Sequence, residues 1–329
     1  MNLNKFSRRR YSSGRTPIEK LDRLSTALGG PDIYIKRDDL LGPAGGGNKI
    51  RKLEFLMADA LKKGADTIIT CGAPQSNHCR LTLAVSNKEG LPCHLVLKGD
   101  YNRFASGNNL LYNLLGAEGI VNVPADSNLN DDMKKLADEL RAKGRKPYII
   151  PLGGTNEIGA LGYVACAQEV LQQTFEMGVD IGHIICTSGS GGTHGGLLVG
   201  LRGFNSGIPV TGISVYNKKD RQRDSIYVHC SETAGALGTR SRVTLDDIIV
   251  FDEYVGEGYA KTTKEMISAV RLVAKTEAIL LDPVYTGKTM AGLVDLVKKE
   301  YFGSSKNVLF IHTGGSPALY NFTSEFIGE

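Results

Sequence analysis

HIICTSGSGGTHGGLLVGLRGF, residues 183–204, decides the fold. It opens on a short β-branched run, HIICT, crosses a loop of small residues, and closes on an apolar helical segment. A strand that passes through glycines straight into a helix is half of a βαβ unit. The junction 187–196 holds five glycines in ten residues. A tight turn needs one or two. Five leave consecutive N–H groups uncovered at a helix start, whose partial positive charge favours an anion.

The same alternation extends in both directions. DTIITC (66–71), CHLVLK (93–98), GIVNV (119–123) and KPYIIPLGG (146–154) lie upstream, and PVTGISVY (209–216) and NVLFIHTGG (307–315) downstream. Each reads as a strand followed by a helical segment, as in DDMKKLADELRAKG with its glycine stop. Apolar strands alternating with helices predict an α/β fold with mostly parallel sheets covered on both faces. Residues 51–164 carry their own set of βα units and are expected to form a small domain. Residues 1–50 with 165–329 are expected to form a larger one, with the ligand site in the cleft between them, beyond the carboxyl ends of strands.

Composition narrows the function. The chain has 329 residues, 41% hydrophobic and 22% charged, with a net charge of +4. The basic residues form no sustained stripe, so nucleic acid is not an expected partner. Arg8, Arg9 and Arg10 read as a solvated arm, since no apolar core of a secretory signal accompanies them. No apolar run approaches the roughly 18 residues that span a bilayer. The six cysteines include no CxxC pair, which points to reduced thiols in a cytoplasmic protein and to no metal site.

Neither nucleotide motif fits the 187–196 loop well. A dinucleotide fingerprint starting at Gly189 needs glycine where His194 stands, and TGKT (286–289) has Asp282 where a P-loop needs its first glycine. A small ligand with one phosphate fits better. Three further loops follow strands. CGAPQSNHCR (71–80) sets Ser76, Asn77 and His78 at a helix start, either as a cap or as a cradle for a carboxylate. LLDPVYTGKTMAGL (280–293) puts Tyr285 and Thr286 at another, and FIHTGGSPAL (310–319) repeats strand, glycine turn and helix. Upstream, GPAGGGNKIRKLEFLMADAL (42–61) mounts Lys49 behind three glycines at the head of an amphipathic helix.

GGNKIRKLEFL, GAPQSNHCR, GALGYV, GSGGTHGG, LDPVYTGK and HTGG stand in the order found in the fold-type II pyridoxal-5′-phosphate enzymes. Within them the chain resembles the D-cysteine desulfhydrase and 1-aminocyclopropane-1-carboxylate deaminase group, over nearly its whole length. The resemblance implies two open, mostly parallel twisted sheets flanked by helices, as in the tryptophan synthase β subunit, and a homodimer. It implies that Lys49 bonds covalently to the cofactor aldehyde, with glycines 45–47 clearing space for that carbon. By the same resemblance Lys52 reaches the phosphate, Gly189, Ser190, Gly191, Gly192 and Thr193 hold it, and Asn77 bonds the phenolic oxygen. Ser76, Asn77 and His78 correspond to residues around the substrate carboxylate, and Tyr285 and Tyr259 to tyrosines at the reacting carbons. Thr286 and Thr313 complete the cofactor pocket, while Asn156 and Glu157 fall near the substrate side.

Thr286 bears on the reaction. The deaminases carry a glutamate there, facing the ring nitrogen; a neutral hydroxyl stabilises a pyridinium less than a carboxylate does. A weaker electron sink suits α,β-elimination, where a thiolate carries the charge away. His78 in QSNH, where the deaminases tend to have glutamine, points the same way. The expected reaction is D-cysteine and water to pyruvate, sulfide and ammonia. The alternatives are the cyclopropane deaminase, L-cysteine and L-cysteate reactions, and, from another class, a non-catalytic binder of the cofactor or an amino acid.

Overall fold

The computed structural model describes residues 1–327. Within them the strands β1 (Ile18–Lys20), β2 (Asp32–Lys36), β3 (Thr67–Gly72), β4 (Cys93–Lys98), β5 (Gly119–Val123), β6 (Pro147–Ile150), β7 (His183–Ser188), β8 (Val210–Ser214), β9 (Ile248–Phe251) and β10 (Asn307–Ile311) form two sheets. One runs β1-β2-β10-β7-β8-β9, the other β5-β4-β3-β6. All pairings are parallel except β1 with β2. The helices are α1 (Asp22–Leu28), α2 (Lys49–Lys62), α3 (Asn77–Lys88), α4 (Asn108–Leu114), α5 (Leu129–Ala142), α6 (Glu157–Met177), α7 (Gly192–Gly203), α8 (Lys219–Ala236), α9 (Lys264–Glu277) and α10 (Thr286–Lys298), with two short turns after β10. Strands β1, β2 and β9 were not expected. They have three, five and four residues, and β1 and β9 are edges, so each shows too little of a pattern to read.

Alternation across each strand builds the cores. In β7, Ile184 and Cys186 face a cluster with α6, α7 and α8, while Ile185 faces one with α1, α9 and α10. In β3, Ile68 packs under α2 and α3, and Ile69 and Cys71 pack on α5. Both central strands are buried throughout, so they read as continuous apolar runs.

Chain order reverses beside the same two strands. From β7 the sheet grows through β8 and β9, then returns with β10 on the other side; from β3 it grows through β4 and β5, then returns with β6. Loops leaving β7 and β10, and those leaving β3 and β6, therefore diverge and open a crevice at each switch point.

Helix α2 joins the two sheets. Ile50, Leu53, Leu56 and Met57 enter the core of the smaller sheet, while Phe55 enters that of the larger. On α6, a Cβ at Gly162 would lie 2.3 Å from the Arg51 carbonyl oxygen, so only glycine lets the two helices come this close. A buried ionic group completes the joint. Arg51 donates to both oxygens of Asp38 at 2.7 and 2.8 Å and to Glu169 at 2.9 Å, Lys36 pairs with Glu169 at 2.6 Å, and Tyr163 donates to Asp38 at 2.7 Å.

Candidate active site

Lys49 and Lys52 lie one turn apart at the start of α2 and meet the same carbonyl. Lys49 Nζ is 3.3 Å and Lys52 Nζ 3.1 Å from the oxygen of Gly153, in the loop leaving β6. Lys49 is half-buried, and that desolvation lowers its ammonium to about 8. Lys52 is fully buried and has no carboxylate partner among the described residues. Burial first, then the neighbouring Lys49 charge, holds it well below its ordinary value. Its remaining contact is Thr155 Oγ1 at 3.1 Å, which in turn lies 2.7 Å from Ser190 Oγ.

The loop after β7 closes this group. Gly191, at φ 86°, precedes α7, whose first-turn amides have no helical acceptor. A Cβ at Gly192 would stand 2.8 Å from Thr155 Oγ1 and 3.0 Å from Lys52 Nζ; one at Gly153 would stand 2.6 Å from Ser190 Oγ and 3.3 Å from Lys49 Nζ. Thr193 accepts from Asn48 Nδ2 at 3.2 Å, which leaves its own proton to donate. An uncompensated buried cation, open amides and glycine walls fit a phosphate monoester.

At the start of α3, Ser76 is the N-cap and accepts from the Cys79 amide at 3.2 Å, so the capping role is real. Asn77 Oδ1 accepts from Asn108 Nδ2 at 3.0 Å, which leaves its own amide nitrogen as a donor for a ligand. His78 is committed inward. Thr70 gives its one proton to the Ile150 carbonyl, so His78 Nε2 donates to Thr70 at 2.8 Å, and Nδ1 is left buried without a partner. Burial, reinforced by Lys49 and Lys52, keeps the ring neutral.

At the start of α10, Asp282 accepts from the amides of Val284, Tyr285 and Thr286 at 2.8–2.9 Å. Thr286 Oγ1 donates to the same carboxylate at 2.8 Å and accepts from the Asp282 amide, so its proton is already engaged. The phenols of Tyr285 and Tyr259 meet at 2.5 Å. Burial raises both, Tyr259 to about 12, so they remain protonated donors at neutral pH. The loop after β10 bridges the parts: a Cβ at Gly315 would collide with Asp282, and one at Gly314 would lie 2.9 Å from Gly47 Cα. Thr313 contributes its carbonyl, which receives the Asn48 amide at 3.0 Å.

Two expectations change. Glycines 45–47 clear no space for a ligand: their Cβ positions would strike Arg80 and Pro317, the Asp39 carbonyl, and Leu81, and all three residues have positive φ. They let the chain pass over α3 in a left-handed path that costs glycine little. Asn156 caps α6 by accepting from the Gly159 amide at 2.8 Å, so its side chain is used within the fold. Asn48, Thr155, Arg80 and Asn108 escaped the sequence reading. Asn48 and Thr155 adjoin motifs already singled out; Arg80 and Asn108 find their partners through the fold alone.

A family of pyridoxal-phosphate dependent enzymes matches residues 10–314. The chain is 44% identical to D-cysteine desulfhydrase of Yersinia enterocolitica, with 97% of each chain covered, and 43% identical to that of Klebsiella pneumoniae, with 98% of each covered. Its fold is similar to that of an ACC deaminase homologue, at a TM-score of 0.90 and 40% identity over 99% of this chain and 97% of the other. O-ureido-L-serine synthase shares the fold at a TM-score of 0.67 and 20% identity, over 97% and 95% of the two chains. Two parallel sheets, a lysine pair at the joining helix and a phosphate-shaped loop accord with these matches: the chain belongs to the pyridoxal-phosphate dependent enzymes.

Proposed function

We propose that this enzyme converts D-cysteine and water to pyruvate, sulfide and ammonia. The observation that carries the reading is the Lys49 amine, held half-buried at the cleft without a carboxylate and lowered to about 8. Such an amine is a nucleophile and a proton carrier near neutral pH. The names of relatives matched over 97–98% of the chain support the substrate.

Lys52, the amides of 189–193 and the Thr193 hydroxyl would hold the phosphate, and Asn77 Nδ2 would donate to the phenolic oxygen. Thr286 would face the ring nitrogen and Thr313 would border it. When bound, pyridoxal phosphate supplies a covalently attached electron sink for negative charge at Cα. The Ser76 hydroxyl and the Asn77 region hold the substrate carboxylate, with neutral His78 shaping the wall. Lys49 then removes the Cα proton, which places a positive charge beside the departing electrons. Tyr285 and Tyr259 form one hydrogen-bonded donor pair, and either phenol protonates the sulfur as the Cβ–S bond breaks. The released enamine hydrolyses to pyruvate and ammonia. The domains, 1–50 with 165–329 and 51–164, would meet at this cleft. A cytoplasmic homodimer belongs to the same reading; six free, buried cysteines accord with a reducing compartment.

The test is a panel of D-cysteine, L-cysteine, L-cysteate, β-chloroalanine and 1-aminocyclopropane-1-carboxylate, scored for sulfide, sulfite and keto acid. Sulfide from D-cysteine should dominate and vanish in Lys49→Ala. Preferred turnover of the cyclopropane, or full activity of the variant, would overturn the reading.

A further inference from the structure

TGKT ends like a phosphate loop and yet holds no cradle, which leaves Lys288 without a purpose in the phosphate site. The structure gives it another partner. Lys288 is fully buried, and its ammonium donates to the carbonyls of Val255 at 2.6 Å and Gly258 at 2.8 Å. No carboxylate pairs with it among the described residues. The two carbonyls bracket Gly256 and Glu257 in the segment VGEGY, 255–259, which has little else to order it. Gly256 and Gly258 sit at φ 67° and 151°, and Ala260 at 59°. Among the described residues the backbone bonds nearby are Val255 to Asp252 and Lys261 to Gly258, with the rings of Tyr285 and of the mostly exposed Tyr216 edge-on to that of Tyr259.

Tyr285 and Lys288 lie three residues apart at the start of α10 and so project from one side of it. The entry to that helix is tied down, since Asp282 accepts from the amides of Val284, Tyr285 and Thr286. We propose that Lys288 is a positioning residue for Tyr259: by gripping the two carbonyls that flank Gly256 and Glu257, it sets the Tyr259 phenol against that of Tyr285. The tyrosine of a loose loop is thereby indexed to the helix that carries its partner. Burial lowers the ammonium to about 8, against the opposing pull of the Asp282 charge.

The inference rests on the proposed role of the tyrosine pair, and a double-mutant cycle tests it. Lys288→Met should lower kcat for sulfide release from D-cysteine about 10-fold with KM changed less than about 2-fold, because the loss falls on the chemical step. In a Tyr259→Phe background the same substitution should cost less than about 2-fold, since the group it positions is gone. Hydrogen exchange of amides 256–261 should quicken in Lys288→Met and recover partly in Lys288→Gln, whose amide still donates. Multiplicative losses, unchanged exchange, or failure of both Lys288 variants to fold would each overturn the assignment. If the wild type released no sulfide from D-cysteine, the proposed reaction would fall, and the exchange measurement would still decide whether Lys288 holds the loop.

Discussion

Replacing Lys49 by methionine should stabilise the cofactor-free chain while abolishing turnover. A lysine lowered from 10.5 to about 8 on folding disfavours the folded state below about pH 8, and that penalty fades as pH climbs to 10.5. A gap of about 2.5 units, at about 1.4 kcal/mol each, makes about 3 kcal/mol at pH 7. Against this stands one hydrogen bond to the Gly153 carbonyl, long at 3.3 Å, and that oxygen keeps Lys52 at 3.1 Å. Its loss costs no more than about 1 kcal/mol. The net gain is about 2 kcal/mol. For 329 residues the unfolding entropy is about 0.7 kcal/mol/K, so Tm should rise by about 3 °C. Thermal unfolding of the cofactor-free wild type and variant, followed by circular dichroism at pH 7 and 10.5, measures it. The variant should melt higher at pH 7 and together with the wild type at pH 10.5. A variant that melts lower at pH 7, or a gap of equal size at both values, would refute the assignment of a strained, desolvated amine.

Lys52→Met should weaken pyridoxal phosphate binding by about 10- to 150-fold, the worth of one charge-assisted contact, read by fluorescence titration; unaltered affinity would place the phosphate elsewhere. Gly192→Ala sets a methyl group 3.0 Å from Lys52 Nζ. The same methyl stands 2.8 Å from Thr155 Oγ1, so it should cut cofactor affinity and also cost the cofactor-free chain about 1–3 kcal/mol in urea unfolding. Asp38→Ala strands the buried Arg51 guanidinium and should cost about 3–5 kcal/mol in urea unfolding. A loss under about 1 kcal/mol would mean that Glu169 alone satisfies Arg51.

Much of the site was legible because its residues advertise themselves locally. Lys49 follows three glycines at a helix start, and the 187–196 loop combines five glycines with a strand before it and a helix behind. Strand and helix periods placed β4 and β5 to the residue. The glycines themselves were legible as a loop and opaque as to cause: that 45–47 make room for Asp39, Leu81 and Arg80, and not for a ligand, depends on segments remote in the chain. Asn156 was missed for a local reason, since its capping bond to the Gly159 amide needed the helix start to be known to one residue. Thr286 looked like a lone hydroxyl; its bond to Asp282 shows a carboxylate standing behind it.

The order of β3 to β8 and β10 with the helices between them, the lysine at the head of α2 and the glycine loop after β7 were legible in the sequence alone, because propensity, hydrophobic period and glycine freedom act over a few neighbouring residues. Only the tertiary structure decided which polar groups share a boundary. Lys52 meets Thr155 at a separation of 103 residues, Asn48 meets Thr193 at 145, and Lys288 meets Gly258 at 30. Each of these contacts joins segments that local patterns leave apart, and no local rule encodes where a distant loop will come to rest.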